Sequence, residues 1–247
     1  MELRTILSGL ENLKIKGSLD IDVLNIKNDS RSVNKGDMFV AVKGFNIDGH
    51  EHMKEACENG AHVIMAQIDQ ISKDMIKELP ESVTIVLAED TRYALAIAAC
   101  NFYKNPSRKL KLIGVTGTKG KTTTTYMIRD ILEKQGIKVG LIGTVASYIG
   151  DRKIQNNDNT TPESLKLQEI LAKMQDEGCE VVVMEVSSQS LKLHRVAGCN
   201  FYMAIFTNLA EDHISPKEHP DMDDYFNSKV QLFKMCKTGI INSDDVY

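Results

Sequence analysis

Long apolar runs are missing from this 247-residue chain, and nothing in it reads as a segment able to span a bilayer. The opening Met1-Glu2-Leu3-Arg4-Thr5-Ile6-Leu7 lacks the apolar stretch of a signal peptide. Basic blocks are missing too: the formal net charge is −4, which excludes the electrostatic footprint of a nucleic-acid binder. Cysteine is sparse. The five cysteines (57, 100, 179, 199 and 236) are odd in number and have no metal-type pairing, so they read as reduced, core-filling thiols. Internal repeats and low-complexity segments are also absent. What remains is the expectation of a cytoplasmic protein with no membrane and no nucleic-acid partner. Its 42% hydrophobic and 26% charged residues suit a globular core, in one large domain or two ordinary ones.

The pattern along the chain predicts an α/β fold. Asp37–Val42, Ala61–Met65 and Val83–Leu87 read as strands. Glu51–Asn59 reads as a helix closed by Gly60, and Thr91–Tyr103 as a helix with one apolar stripe. Asn105–Lys109 is the expected linker, because Pro106 ends the helix and the composition turns polar. After it the chain restarts with strands at Leu110–Val115, Val139–Ile142, Glu180–Met184, Phe201–Phe206 and Gly239–Ile241. Helices are expected at Thr122–Gln135, Pro162–Asp176 and Asp223–Cys236. This alternation predicts a mostly parallel sheet with helices on both faces. The expected domains are residues 1–108 and 109–247. The chain stops just after a strand begins, so a truncated second domain is expected.

One segment carries most of the chemistry. Gly114-Val115-Thr116-Gly117-Thr118-Lys119-Gly120-Lys121-Thr122-Thr123 joins a strand to a helix. Backbone N–H groups of such a turn and the unpaired N–H groups of the helix converge on one anion. Gly117, Thr118, Lys119, Gly120, Lys121, Thr122 and Thr123 are the expected nucleotide contacts. Lys121 suits the β/γ-phosphates, and the Thr122 hydroxyl suits Mg²⁺. The strict Walker spacing asks for glycine at 115, where this chain has Val115. Asn34-Lys35-Gly36-Asp37 mimics a guanine-binding motif but precedes the loop, and no Asp-x-x-Gly follows, so a GTPase is excluded.

Glu185 ends the run Val181-Val182-Val183-Met184, the position of an acidic residue that handles Mg²⁺ in phosphate-loop proteins. Its plainer reading is a strand-end carboxylate in water. Hydroxyls and an amide follow in Val186-Ser187-Ser188-Gln189, at the end of the strand where ligands collect in open α/β sheets. His213 also lies just past a strand. It is either a solvated loop histidine or a metal ligand oriented by Asp212. Thr160-Thr161-Pro162 caps a helix or binds an anion, and Asp29-Ser30-Arg31 is by itself a polar turn.

Together these segments resemble the Mur ligase family, and within it the MurE-type tripeptide synthetases. The likeness rests on Asp29-Ser30-Arg31, Gly36–Ala41 and Gly44–His50, then on the phosphate loop, Asn159–Glu163 and Met184–Ser188. His194-Arg195-Val196, Phe206–Leu209 and Asp212-His213 complete it. It implies a small N-terminal α/β UDP-binding domain followed by a phosphate-loop central domain. The activity implied is ATP-dependent, ADP-forming addition of a diamino acid to UDP-MurNAc-L-Ala-D-Glu through an acyl phosphate, in peptidoglycan biosynthesis. The partners implied are that nucleotide-sugar, ATP and the diamino acid, in a monomer.

By the same resemblance Lys121, Glu185, His213 and Lys229 are catalytic, Lys229 as a carbamate. Thr122, Glu185 and His213 hold Mg²⁺. Ser30, Phe45 and Asn46 contact the uridine nucleotide, and Thr160, Thr161, Ser187 and Arg195 the sugar-peptide. Read from the sequence alone, Lys229 is only a solvated charge on a helix. Lys119 replaces the usual Asn, Leu193 replaces a substrate-binding Gln, and Glu218-His219-Pro220 lengthens a loop. The first and third of these lean toward lysine as the added amino acid, with meso-diaminopimelate left open. The 247 residues alone are expected to be inactive, because the family's C-terminal domain closes the site. The alternatives are another Mur ligase, a folylpolyglutamate synthase relative, or a non-catalytic nucleotide-binding module.

Overall fold

The computed structural model describes residues 1–215 and 218–245. It divides into two compact units, Met1–Phe102 and Tyr103–Tyr247. The Asn105–Lys109 segment therefore belongs to the second unit, where the N–H of Asn200 donates to Ser107 Oγ at 3.1 Å. Among the described residues no helix is long and apolar enough to cross a membrane.

The first unit holds strands β1 (Lys14–Lys16), β2 (Ile26–Lys27), β3 (Met38–Val40), β4 (Val63–Gln67) and β5 (Thr84–Ala88). Its helices are α1 (Leu3–Ile6), α2 (Met53–Glu58), α3 (Lys73–Lys77) and α4 (Thr91–Phe102). The sheet order is β1-β5-β4-β3-β2, parallel except for β1 against β5. Continuous apolar runs at Met38–Val40 and Val63–Ala66 are buried on both faces, as parallel strands require. The expected helix at residues 51–59 is shorter: Gly49–His52 is a 3₁₀ turn ahead of α2.

The second unit is built on β6 (Lys111–Thr116), β7 (Val139–Ile142), β8 (Ala146–Ile149), β9 (Arg152–Asn156), β10 (Val181–Glu185), β11 (Phe201–Phe206) and β12 (Cys236–Ile241). Its helices are α5 (Lys121–Lys134), α6 (Ser164–Asp176), α7 (Ser188–Lys192) and α8 (Met222–Val230). The sheet order is β12-β11-β6-β10-β7-β8-β9. The first five of these strands are mutually parallel. Side chains alternate along the central strands, so Leu112, Val182 and Met184 join one core while Ile113, Val115, Val181 and Val183 join the other. Helix α6 covers the first core through Leu167, Ile170, Leu171 and Met174. Tyr126, Ile128 and Leu132 of α5 pack on the second.

One element was not expected and two expectations need correction. The hairpin β8–β9, paired antiparallel at the sheet edge, has no counterpart in the sequence reading, because Arg152-Lys153-Ile154-Gln155-Asn156 is polar and half-exposed. Helix α6 starts at Ser164, so Pro162 lies before the helix rather than in its first turn. Helix α8 ends at Val230, and Gln231–Met235 tightens into a 3₁₀ helix.

Gly114 shows how tightly the centre is filled. A Cβ there would stand 2.8 Å from Cε1 of Phe201 and 3.2 Å from Cδ1 of Leu232. A ring packed in the core has little freedom to retreat. Gly114→Ala is expected to destabilise the chain by about 1–3 kcal/mol, read as a lowered urea midpoint. An unchanged midpoint would show that the core yields there.

Candidate active site

The parallel strands β11, β6, β10 and β7 lie side by side, and their carboxyl ends deliver four loops to one edge of the sheet. Ligands of open α/β sheets bind at such an edge. After β6 comes the glycine loop. Gly117 has φ +142°, and a Cβ would stand 2.0 Å from Thr207 Oγ1, so any side chain there is excluded. Gly120, at φ +84°, turns the chain directly into α5.

The loop after β11 holds this turn in place. Asn208 Oδ1 accepts the N–H of Lys119 at 3.0 Å, and Asn208 Nδ2 donates to the Lys119 carbonyl at 3.1 Å. Thr207 Oγ1 donates to that carbonyl at 2.7 Å. The Thr118 hydroxyl donates to the carbonyl of Ala210 and accepts from the Ala210 N–H and from Tyr225. Lys121 folds back on the loop, donating to the carbonyls of Gly117 and Thr118 at 2.8 and 3.0 Å. Burial, and after it the neighbouring Lys119 charge, holds the Lys121 ammonium below its ordinary range, against the pull of Glu185. Thr123 is exposed on the first turn of α5.

Glu185 is 1% exposed at the end of β10. Its Oε2 accepts from Thr122 Oγ1 at 2.9 Å and from Thr144 Oγ1 at 3.2 Å, while Oε1 accepts the N–H of Thr144 at 3.0 Å. Gly143 leaves room for it, since a Cβ there would meet Oε1 at 2.4 Å. Two hydroxyls and one N–H leave a buried carboxylate short of cationic company. A carboxylate and a threonine hydroxyl together fit a hard divalent cation that keeps most of its water and phosphate oxygens. Among the described residues no three His, Cys, Asp or Glu side chains form a ready cage.

Lys229 departs most from its plain sequence reading. It is 1% exposed, not solvated. Its Nζ donates to the Gly117 carbonyl at 3.0 Å and lies 4.3 Å from the centroid of Tyr225. Burial first, then the charge of Lys121, pushes its pKa down to about 7, with Asp212 opposing. The residue that orients His213 also differs. Asp212 accepts the backbone N–H of His213 and pairs with Lys119 at 2.9 Å, whereas the imidazole Nδ1 lies 3.1 Å from Glu218 Oε2.

A cavity of about 190 Å³ brings together Lys121, Thr160, Ser187, Arg195, His213 and Lys229. Arg195 is buried, pairs with Glu163 at 2.7 Å and donates to the Thr161 carbonyl. Thr161 lies fully buried beside the cavity, its hydroxyl donating to the Glu185 carbonyl and accepting the N–H of Ser187. Ser187 also caps α7. The remaining sequence-predicted residues are in the first unit. Ser30 is buried and donates to Glu55 Oε2 at 2.6 Å, while Phe45 and Asn46 are exposed. Sequence reasoning assigned no role to Thr144, Asn208, Tyr225, His219 or Asp224. Asn208 and His219 carried a signal, by lying within segments already singled out.

The chain matches the family model described as Mur ligase middle domain over residues 115–247, and that described as Mur ligase family, catalytic domain, over residues 22–103. The chain belongs to the Mur ligase family. It is 47% identical to the UDP-N-acetylmuramoyl-L-alanyl-D-glutamate–2,6-diaminopimelate ligase of Clostridium tetani, over 100% of this chain and 50% of that protein. The ligase of the same name from Clostridium botulinum is 48% identical, with the same coverage. A solved 2,6-diaminopimelate ligase structure superposes with TM-score 0.79 at 23% identity, covering 100% of this chain and 48% of that one. That likeness shows the Mur ligase fold, and the chain spans about half the length of the curated relatives it matches.

The displaced pKa of Lys229 ties stability to pH. Between about 7 and 10.5 the unfolded chain holds a proton on this lysine that the folded chain lacks. Stability therefore rises with pH across that window, and the burial penalty is borne in full below it. Relative to Lys229→Met, the wild type should gain roughly 2 kcal/mol between pH 7 and 9. Denaturant unfolding in CO₂-free buffer measures this, and parallel pH profiles for the two proteins would contradict it.

Proposed function

We propose that this chain is the nucleotide- and sugar-binding half of an ADP-forming ligase that adds 2,6-diaminopimelate to UDP-MurNAc-L-Ala-D-Glu in peptidoglycan biosynthesis. The observation that carries the reading is the cavity at the strand ends. Its wall combines the phosphate-loop lysine, a buried arginine and a second buried lysine. The names of the relatives point to diaminopimelate rather than lysine as the acceptor.

In this reading the γ-phosphoryl group of ATP passes to the D-glutamate carboxylate. The amino group of the diamino acid then attacks the acyl phosphate and releases phosphate. Two anions must meet, so cationic groups and aligned N–H donors are what the site has to supply. The N–H groups of Gly117 and of residues 120–123, with the Lys121 ammonium, hold the phosphates, those of Thr118 and Lys119 being engaged by Asn208. Arg195 and Thr160 take the carboxylate end of the sugar-peptide, with Ser187 and Thr161 shaping the wall. Ser30, Phe45 and Asn46 meet the uridine nucleotide through the first unit.

Thr122 and Glu185 are the residues that would hold Mg²⁺, with His213 beside a second ion. When bound, Mg²⁺ neutralises phosphate charge. Lys229 supports the reading from another side. An amine with a pKa of about 7 has a substantial neutral fraction at neutral pH that is nucleophilic toward CO₂, and the resulting carbamate is an anion beside the phosphate loop. The substrates suit a cytoplasmic protein, and a monomer suffices for them.

The test uses a protein carrying this chain followed by the C-terminal half that its relatives have. ADP release should require both UDP-MurNAc-L-Ala-D-Glu and diaminopimelate. Lys121→Ala should lower kcat by about 10²–10³-fold without unfolding the protein. ADP release indifferent to the nucleotide-sugar, or ligation of glutamate to folate, would overturn the reading. A protein that binds ATP and never turns it over would indicate the binding-module alternative.

A further inference from the structure

Three residues that the reading above leaves unused form a hydrogen-bonded row at the cavity wall. His219 is 0% exposed. Its Nδ1 lies 2.6 Å from Asp224 Oδ2, and its Nε2 lies 2.9 Å from Ser188 Oγ. Asp224 lies in the first turn of α8, Ser188 begins α7, and His219 lies in the loop between β11 and α8. The cavity is lined by both Ser188 and His219.

Chemistry fixes the direction of these bonds. The ammonium of Lys192, 2.7 Å from the same Asp224 oxygen, holds that carboxyl below the usual range, and His219 adds to the effect. An ionised carboxylate only accepts, so Nδ1 carries the imidazole proton. With the ring neutral, Nε2 is bare and takes the Ser188 hydroxyl proton. The free lone pairs of Ser188 are then left for the cavity, and Ser188 becomes an acceptor there.

The charges around the cavity make this unusual. Lys121, Arg195 and Lys229 surround it with donors, which suits an anion. An oxygen that only accepts serves no anion. It serves a group bearing N–H beside one.

We propose that Ser188, His219 and Asp224 form a relay that takes the proton from the attacking amine. The inference rests on the ligase reading above. The ammonium proton passes to Ser188 Oγ as the Ser188 proton passes to His219 Nε2, and the nitrogen lone pair so freed bonds to the acyl carbon. The tetrahedral intermediate expels phosphate with the electron pair of its C–O bond, and the departing phosphate carries away the second nitrogen proton. The first proton stays on the imidazolium, paired with Asp224, until solvent removes it. Other titratable groups face this histidine. From α8 there is Tyr225, its ring 5.1 Å away, with Lys229 over that ring; from the loop there are Glu218 and His213; from α7 there is Lys192. Ser188 and His219 are catalytic residues in this scheme, and Asp224 is a positioning residue.

The test compares two amines in the longer protein. Diaminopimelate arrives as an ammonium and needs a base. Hydroxylamine is already neutral at pH 7 and needs none. His219→Gln and Ser188→Ala should each lower diaminopimelate ligation by about 10²-fold or more, the usual range for general-base catalysis. Both variants should trap the acyl phosphate as hydroxamate at the wild-type rate. Ser188→Ala removes one hydroxyl, so it carries the test if His219→Gln fails to fold. Equal losses with both amines would show a packing role and overturn the relay, as would no loss with diaminopimelate. A wild type that forms neither product would overturn the ligase reading, and the relay with it.

Discussion

Burying charge at the carboxyl edge of the second sheet is the constraint on which the site depends. Glu185 and Lys229, each 1% exposed, flank the phosphate loop without touching each other's polar atoms through any described hydrogen bond or ion pair. A buried carboxylate and a buried amine are costly unless something answers them. Glu185 is answered by threonine hydroxyls and one N–H, Lys229 by a carbonyl and an aromatic face. Neither arrangement is complete in the way an ion pair would be. That incompleteness leaves both groups open to further partners, which the proposed function supplies.

The rest of the second unit can be understood as support for those two positions. The two apolar cores fix the parallel strands, and the strand ends fix the loops. Gly117 and Gly143 exist as glycines because Thr207 Oγ1 and Glu185 Oε1 occupy the space a Cβ would need. Thr118, Lys119, Thr207, Asn208 and Ala210 then bind the phosphate loop to the end of the neighbouring strand. A loop stitched this way has its remaining N–H groups oriented in advance, the preorganisation that the proposed phosphate binding calls for.

Legibility from sequence followed locality. The phosphate loop could be read because its demands, glycine at positive φ and a helix directly after, fall on neighbouring residues. Glu185 could be read because a buried apolar run marks a strand and its end. Lys229 could not: the helix carrying it has polar and apolar residues in a pattern equally consistent with exposure, and only tertiary packing buries it. The Ser188–His219–Asp224 row was invisible because Ser188 and His219 are 31 residues apart. Asp212 was misassigned for the opposite reason, since adjacency in sequence suggested a partner that the backbone N–H claims instead. The β8–β9 hairpin escaped because an edge ribbon with polar residues carries little alternation.

The central claim is that Lys229 is a buried amine at the phosphate loop that gives up its proton near neutral pH. Its titration can be observed directly by NMR of the side-chain Nζ and Cε, assigned with Lys229→Met and recorded in CO₂-free buffer. The account predicts a midpoint at about 7. A midpoint at the ordinary lysine value, about 10.4, would mean that the amine is solvated and charged, and would contradict it.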